Sequence, residues 1–328
     1  MKKQKRAKAA LFRFIVCIMT LWSITSSITA LVKSISAINE LETAKYEESS
    51  AIVKLTPSSK APNEASSIKN SVTPQLLEPR NKIEIPILMY HSITDDESKE
   101  SEYVITDNRF ESDLRFLAQN GFTSVFPIEI ASYIKNGTKL PSKPILITFD
   151  DGYSNNMVYA LPLLQKYNMK ATISVVGKHA LQSSDDIYRI ADNGSLTLGE
   201  IALLANSEHI TFGNHSYDMH KVSKMRKGAN MAAGESLSAY KITLAADAEK
   251  NQLLLEKTTG TKPILYAWPY GARPADFTGD KILQKIGIPI TCGSYQSCST
   301  ISKGNPDSLL GLGRYLRTPD FDMSILLN

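Results

Sequence analysis

The sequence predicts an α/β protein built on a parallel sheet wound with helices, open or closed into a barrel. Two observations predict it. From Ile83 onward, short apolar strand-like runs alternate with segments of helical period. The residues able to carry chemistry fall where the predicted strands end, which is where parallel α/β folds gather their active sites.

The elements follow in order. Residues 83–90 are apolar and read as a strand. Phe110, Leu114 and Leu117 share one helical face, with Gly121 as a stop. After Pro144, the run Ile145, Leu146, Ile147 and Phe149 reads as a buried strand. A helix is expected over 159–167 and a strand over 171–176. Thr197 and Glu200 have the spacing of a capping box opening a helix that runs to Ala205. Strands at 210–212, 263–268 and 288–291 alternate with helices at 237–257 and 282–286. No internal repeat is visible.

The 328 residues suffice for one large domain or two small ones, and 42% hydrophobic residues are ample for a packed core. Net charge is +4, but Lys2, Lys3, Lys5, Arg6, Lys8 and Arg13 open the chain without an acid, and removing these six leaves −2 for the rest. The basic balance belongs to the N-terminus and gives no argument for nucleic-acid binding. Nineteen uncharged residues, 14–32, follow. Their length suits a membrane span, and the positive side stays cytoplasmic. An uncleaved anchor over 1–43 is the expectation, with a signal peptide cut near Ala30 or Ala37 as the alternative. Either way the remainder is exported: attached to the cell membrane with its catalytic part outside, or secreted. Residues 44–82 mix Ser and Pro with Lys and Glu without apolar periodicity, as a flexible linker does. The domain is expected over 83–328. Cys292 and Cys298 lie close together, and oxidising surroundings permit a disulfide, two free thiols being the alternative.

Ile147-Thr148-Phe149-Asp150-Asp151-Gly152-Tyr153 places two adjacent carboxylates at the mouth of a buried strand. Charges there are costly unless something uses them. A metal that takes one carboxylate and leaves the other as a base is such a use; an Asp-Gly turn is the plain alternative. His215 and His220, two of only five histidines, follow a short strand in a loop that turns into a helix. Two imidazoles and one carboxylate, Asp151, leave open positions for water and substrate, as catalytic metal sites do; two surface histidines near a turn are the plain alternative. Trp268-Pro269-Tyr270-Gly271 reads as a rigid turn able to aim the Tyr270 backbone N–H at an oxyanion, or equally as a plain Pro-Gly-type turn under a buried Trp. His91 ends the first strand, as a general acid or as a histidine satisfied at a strand edge. His179 and His209 read as structural or exposed.

Together, Thr148-Phe149-Asp150-Asp151-Gly152, His215-Ser216 with His220, and Pro269-Tyr270-Gly271 resemble the three leading motifs of the polysaccharide deacetylases, carbohydrate esterase family four, the NodB-homology domain. The resemblance runs from about Ile85 to the C-terminus. It implies a distorted (β/α) barrel and a divalent metal, usually zinc, sometimes cobalt or nickel. It implies hydrolysis of N-acetyl groups from N-acetylglucosamine units of an extracellular or cell-wall polysaccharide. On the matching positions, Asp150 is the base, Asp151, His215 and His220 hold the metal, and the Tyr270 N–H helps bind the oxyanion. Two departures stand out. Many members carry an Arg where this chain has Ala267, and many end on a strand whose His is the acid, yet no histidine follows His220. Pro86-Ile87-Leu88-Met89-Tyr90-His91 resembles the branch that deacetylates poly-N-acetylglucosamine, in which the acid strand stands at the N-terminal side; His91 then takes the acid role. Arg273 is a candidate substitute for the missing Arg. The alternatives are a peptidoglycan N-deacetylase and a catalytically silent carbohydrate-binding surface module, which Ala267 favours. A metal-free glycosidase is discounted, because the adjacent Asp150 and Asp151 cannot both flank one bond.

Overall fold

The computed structural model describes residues 81–186 and 194–327. The expected anchor over 1–43 and most of the linker over 44–82 lie outside the described residues. Among the described residues no helix is long and apolar enough to cross a membrane.

The first apolar run is split. Pro86 lacks an N–H for the ladder and separates β1 (Lys82–Ile85) from β2 (Ile87–Tyr90). Two short strands, β3 (Ser92–Thr94) and β4 (Val104–Thr106), pair with each other ahead of α1 (Asp107–Gln119). The Thr106 hydroxyl caps α1, and Phe110, Leu114 and Leu117 are buried on its inner face as their spacing predicts. Next come β5 (Thr123–Ser124), α2 (Pro127–Asn136) and β6 (Pro144–Phe149). The helix expected over 159–167 is a π-turn, Asn156–Ala160, running into α3 (Leu161–Lys166). Then β7 (Ala171–Val175) leads to α4 (Gly177–Asp185), and α5 (Leu198–Leu204) carries both halves of the Thr197/Glu200 capping box. The chain continues through β8 (Ile210–Asn214), α6 (Leu237–Thr259), β9 (Leu265–Ala267), α7 (Thr278–Lys285), β10 (Ile290–Cys292), β11 (Ser299–Ser302) and β12 (Tyr315–Leu316).

The main sheet has the order β10-β9-β8-β7-β6-β2-β12, with β5 on β6, and every pair in it is parallel. It curls: Leu312, just ahead of β12, bridges in parallel to Cys292 on β10, so the C-terminal segment reaches both edges. Alternate residues face opposite ways. Ile145, Ile147 and Phe149 of β6 and Ala171, Ile173 and Val175 of β7 pack outward with α1, α3 and α5. Leu146, Leu265, Ala267 and Ile290 face inward, where Ile130 and Ile134 of α2 join them. A third cluster packs α6 and α7 on Tyr266 and Trp268. The fold is thus the α/β class predicted, as a curled parallel sheet.

The disulfide is absent. Cys292 is buried in the inward cluster and Cys298 is exposed, and both are free thiols. The side chain of Cys292 belongs to the core, so short sequence separation does not bring the two sulfurs together.

Candidate active site

The strand ends meet at one cavity of about 450 Å³, lined among others by His91, Asp150, Asp151, His215, His220 and Tyr270. Every site residue read from the sequence reaches it. Three of the five non-glycine residues with positive φ among the described residues lie in the three motifs: Asp151 (69°), Ser216 (70°) and Tyr270 (57°). Such backbone is strained and persists where the surroundings over-determine it, which is common at functional sites. At Asp151 it reverses the chain directly after β6, so that two neighbouring carboxylates enter one cavity.

Asp151 Oδ1 lies 3.3 Å from His215 Nε2 and 3.0 Å from His220 Nε2. Each of the three residues offers a ligand atom within 4.8 Å of the others. His215 Nδ1 stands 2.8 Å from the Ala267 carbonyl, which can only accept, so Nδ1 carries the hydrogen. In the neutral ring, Nε2 then turns a lone pair toward Asp151 Oδ1, a buried oxygen without a hydrogen-bond partner. Opposed lone pairs around one point are resolved by a cation, and the donor set, two imidazoles and a carboxylate, suits zinc and its neighbours. A proton on His215 can fill the same gap. Burial works against it, but Asp150 and Asp151 outweigh burial and raise the imidazole's pKa, so metal and proton compete for the nitrogen.

Asp150 is held apart from this triad. Its two oxygens accept from Arg314, Nη1 to Oδ1 at 2.8 Å and Nη2 to Oδ2 at 2.7 Å. Both side chains are buried, 1% exposed for Arg314 and 2% for Asp150. Arg314 Nε donates to the Gly293 carbonyl and Nη1 also reaches the Thr148 hydroxyl. Burial would raise the Asp150 carboxyl, but the guanidinium overrides it and the pKa falls below the ordinary value. A bidentate fork fixes the carboxylate plane and still leaves each oxygen a second lone pair.

Arg314 was not singled out in the sequence. It reaches the site from the segment that bridges β10 and β2, 164 residues from its partner. The available signal was two arginines, Arg314 and Arg317, inside the apolar run 309–316 and its edge; buried cations need partners. Arg317 has its own, a buried fork onto Asp113 at 2.7 and 2.9 Å. Arg273, the expected substitute, does not reach Asp150. It pairs with Asp280 at 2.8 Å, and Asp280 also accepts from the Trp268 indole at 3.0 Å, which braces the turn carrying Tyr270. Ala267 is buried, with its side chain in the inward cluster.

His91 directly follows β2 with its Nδ1 buried and unpartnered, and the Tyr103 ring stands edge-on to it, 4.9 Å between centroids. Burial lowers its pKa, with Asp150 and Asp151 pulling the other way. The Tyr270 ring, 43% exposed, lies 4.5 Å from the His220 ring, and its hydroxyl is 3.4 Å from His220 Nδ1. His179 packs against the outside of His220 at 6.1 Å between centroids, whereas His209 is structural, its Nδ1 2.9 Å from the Met169 carbonyl. The loop after His220 does not turn into a helix as expected. It runs irregularly to Leu237, and Gly228 lies on the Pro269 carbonyl so closely that a Cβ there would stand 2.5 Å away.

Residues 137–290 match the sequence profile of the polysaccharide deacetylase family. That stretch, a little under half of the chain, is what resembles the polysaccharide deacetylases. The poly-beta-1,6-N-acetyl-D-glucosamine N-deacetylase of Staphylococcus aureus (strain MRSA252) is 27% identical over 192 residues, 58% of this chain and 61% of that protein. IcaB from Ammonifex degensii superposes with a TM-score of 0.58 at 25% identity, over 72% of this chain and 93% of that one. A de-N-acetylase from Aggregatibacter actinomycetemcomitans shares the fold of the deacetylase domain with a TM-score of 0.64 at 22% identity, covering 75% and 99%. The chain spans about a third to three fifths of the length of the curated relatives it matches.

Proposed function

We propose that this protein is a metal-dependent N-deacetylase that hydrolyses acetamide groups on N-acetylglucosamine units of an extracellular polysaccharide, of the poly-N-acetylglucosamine type. The observation that carries it is the convergence of Asp151, His215 and His220 on one point with Asp150 beside them, forked onto Arg314. The names of two relatives, both poly-beta-1,6-N-acetyl-D-glucosamine N-deacetylases, support the substrate class.

Asp151, His215 and His220 would hold the cation. A divalent ion supplies a Lewis acid that polarises a carbonyl and acidifies water. Asp150, oriented by Arg314, accepts the proton of the attacking water. The Tyr270 N–H donates to the oxyanion that develops on the acetamide. His91 donates a proton to the departing sugar amine, and acetate leaves. Tyr103 and Tyr270 give the cavity exposed aromatic faces on the His91 and His220 sides, suited to sugar rings. Arg314 takes away the reason for reading the domain as catalytically silent, since the missing cation at Ala267 is supplied from the segment just ahead of β12. The uncharged stretch 14–32 behind six cations supports a membrane attachment with this domain outside the cell.

Acetate release by the full chain from β-1,6-linked N-acetylglucosamine oligomers, against peptidoglycan fragments, tests the proposal. Release from the oligomers, abolished by a chelator and restored by zinc, is expected. Release from peptidoglycan alone would overturn the substrate assignment, and release unaffected by chelation would overturn the metal assignment.

A further inference from the structure

The loop between the two histidines is pinned, not free. His215 N donates to the Val175 carbonyl at 3.0 Å, Ser216 N to Asn214 Oδ1 at 2.9 Å, and Met219 N to the Ser216 hydroxyl at 3.2 Å. The remaining two amides of this stretch go to one side chain: Tyr217 N donates to Asp247 Oδ1 and Asp218 N to Asp247 Oδ2, both at 2.8 Å. On the carbonyl side, Ser216 and Tyr217 accept from Gly177 N and Lys178 N at 3.1 and 2.9 Å.

Asp247 stands on α6, one turn before Asn251, so the two share a face. Asn251 is fully buried and its amide donates to both Asn214 Oδ1 and the Val175 carbonyl, at 2.9 and 2.8 Å. Together they hold the strand end and the loop to one rigid helix. Lys250 on the same helix lies 3.7 Å over the Tyr217 ring. Asp247 touches neither imidazole. Its carboxylate spans two successive amides midway between His215 and His220.

We propose that Asp247 is a positioning residue for the metal site, clamping the loop so that His215 and His220 are already aimed at one point before an ion binds. This rests on the metal reading of the triad. An aimed site loses less freedom on binding than a loop that must first close.

The test uses the full chain and its Asp247→Asn and Asp247→Ala variants. Zinc affinity is measured by competition with a chelating dye, and amide exchange of Tyr217 and Asp218 is followed in metal-free protein. Asp247→Asn keeps the shape and one acceptor but turns an NH₂ toward an N–H. Zinc affinity is expected to fall roughly 10- to 100-fold, the usual cost of losing a residue that orients metal ligands. Exchange at the two amides is expected to quicken while amides of β6 and β7 keep their protection. Unchanged zinc affinity in Asp247→Asn, with the two amides exposed, would overturn the positioning role. Unchanged exchange at those amides would overturn the clamp. A wild-type chain that binds no zinc would overturn the metal reading instead, and amide exchange would still judge the clamp by itself.

Discussion

Arg314→Lys separates geometry from charge at the base. The lysine keeps a cation near Asp150 but replaces a planar two-point fork with a single rotatable ammonium. Asp150 then keeps its charge and loses its fixed plane. General base catalysis contributes about 10²- to 10⁴-fold, so a misaimed base should lower kcat by roughly 10- to 100-fold, within that ceiling. Metal content should not change, because Arg314 makes no contact with Asp151, His215 or His220 among its hydrogen bonds. Arg314→Ala goes further, leaving a buried carboxylate without its counter-ion. Removing one partner of a buried pair costs about 3–5 kcal/mol. At about 2–4 °C per kcal/mol for a domain of this size, Tm should fall by roughly 6–20 °C. Kinetics, zinc analysis and calorimetry on the two variants give the three readouts. The decisive comparison is a double mutant. If Arg314 works only through Asp150, adding Arg314→Lys to Asp150→Asn should cost little further turnover. A full additional loss, or an Arg314→Lys enzyme within twofold of wild type, would show that the fork does not orient the base.

Other outcomes follow from the same geometry. Asp150→Asn should lower turnover by about 10²- to 10⁴-fold with zinc retained, whereas Asp151→Ala should lose the zinc; the pair is checked by metal analysis beside acetate release. Ala267→Arg, which installs the arginine that the family resemblance implies for this position, should destabilise rather than activate. The position is buried in the inward cluster, and overpacking a core costs roughly 1–3 kcal/mol before any unpaired charge is counted; thermal melting decides it. Maleimide should label Cys298 in the native protein and Cys292 only after denaturation. Burial pushes the Cys292 thiol up to about 12, and mass spectrometry of tryptic peptides reads the difference.

What was legible without coordinates was local in origin. Strands such as 144–149, the inner face of α1 and the Thr197/Glu200 cap are set by side-chain period and by groups three or four residues apart, and a sequence displays those directly. The carboxylate pair, the two histidines and the Pro-Tyr-Gly turn were readable because each sits within a few residues of a strand end. Tertiary structure alone decided who answers whom. Arg314 lies 164 residues from Asp150 and Asp247 lies 30 from the amide of Tyr217. The apolar run around Arg314 marks it as a buried cation but not as the partner of Asp150, and Arg273, closer to the motifs, serves Asp280. Nor could spacing reveal that Cys292 faces the core while Cys298 faces solvent. Periodicity records which face of an element is buried, but the partner across the sheet is chosen by how the sheet curls and where its last strand closes, and no stretch of chain contains that information.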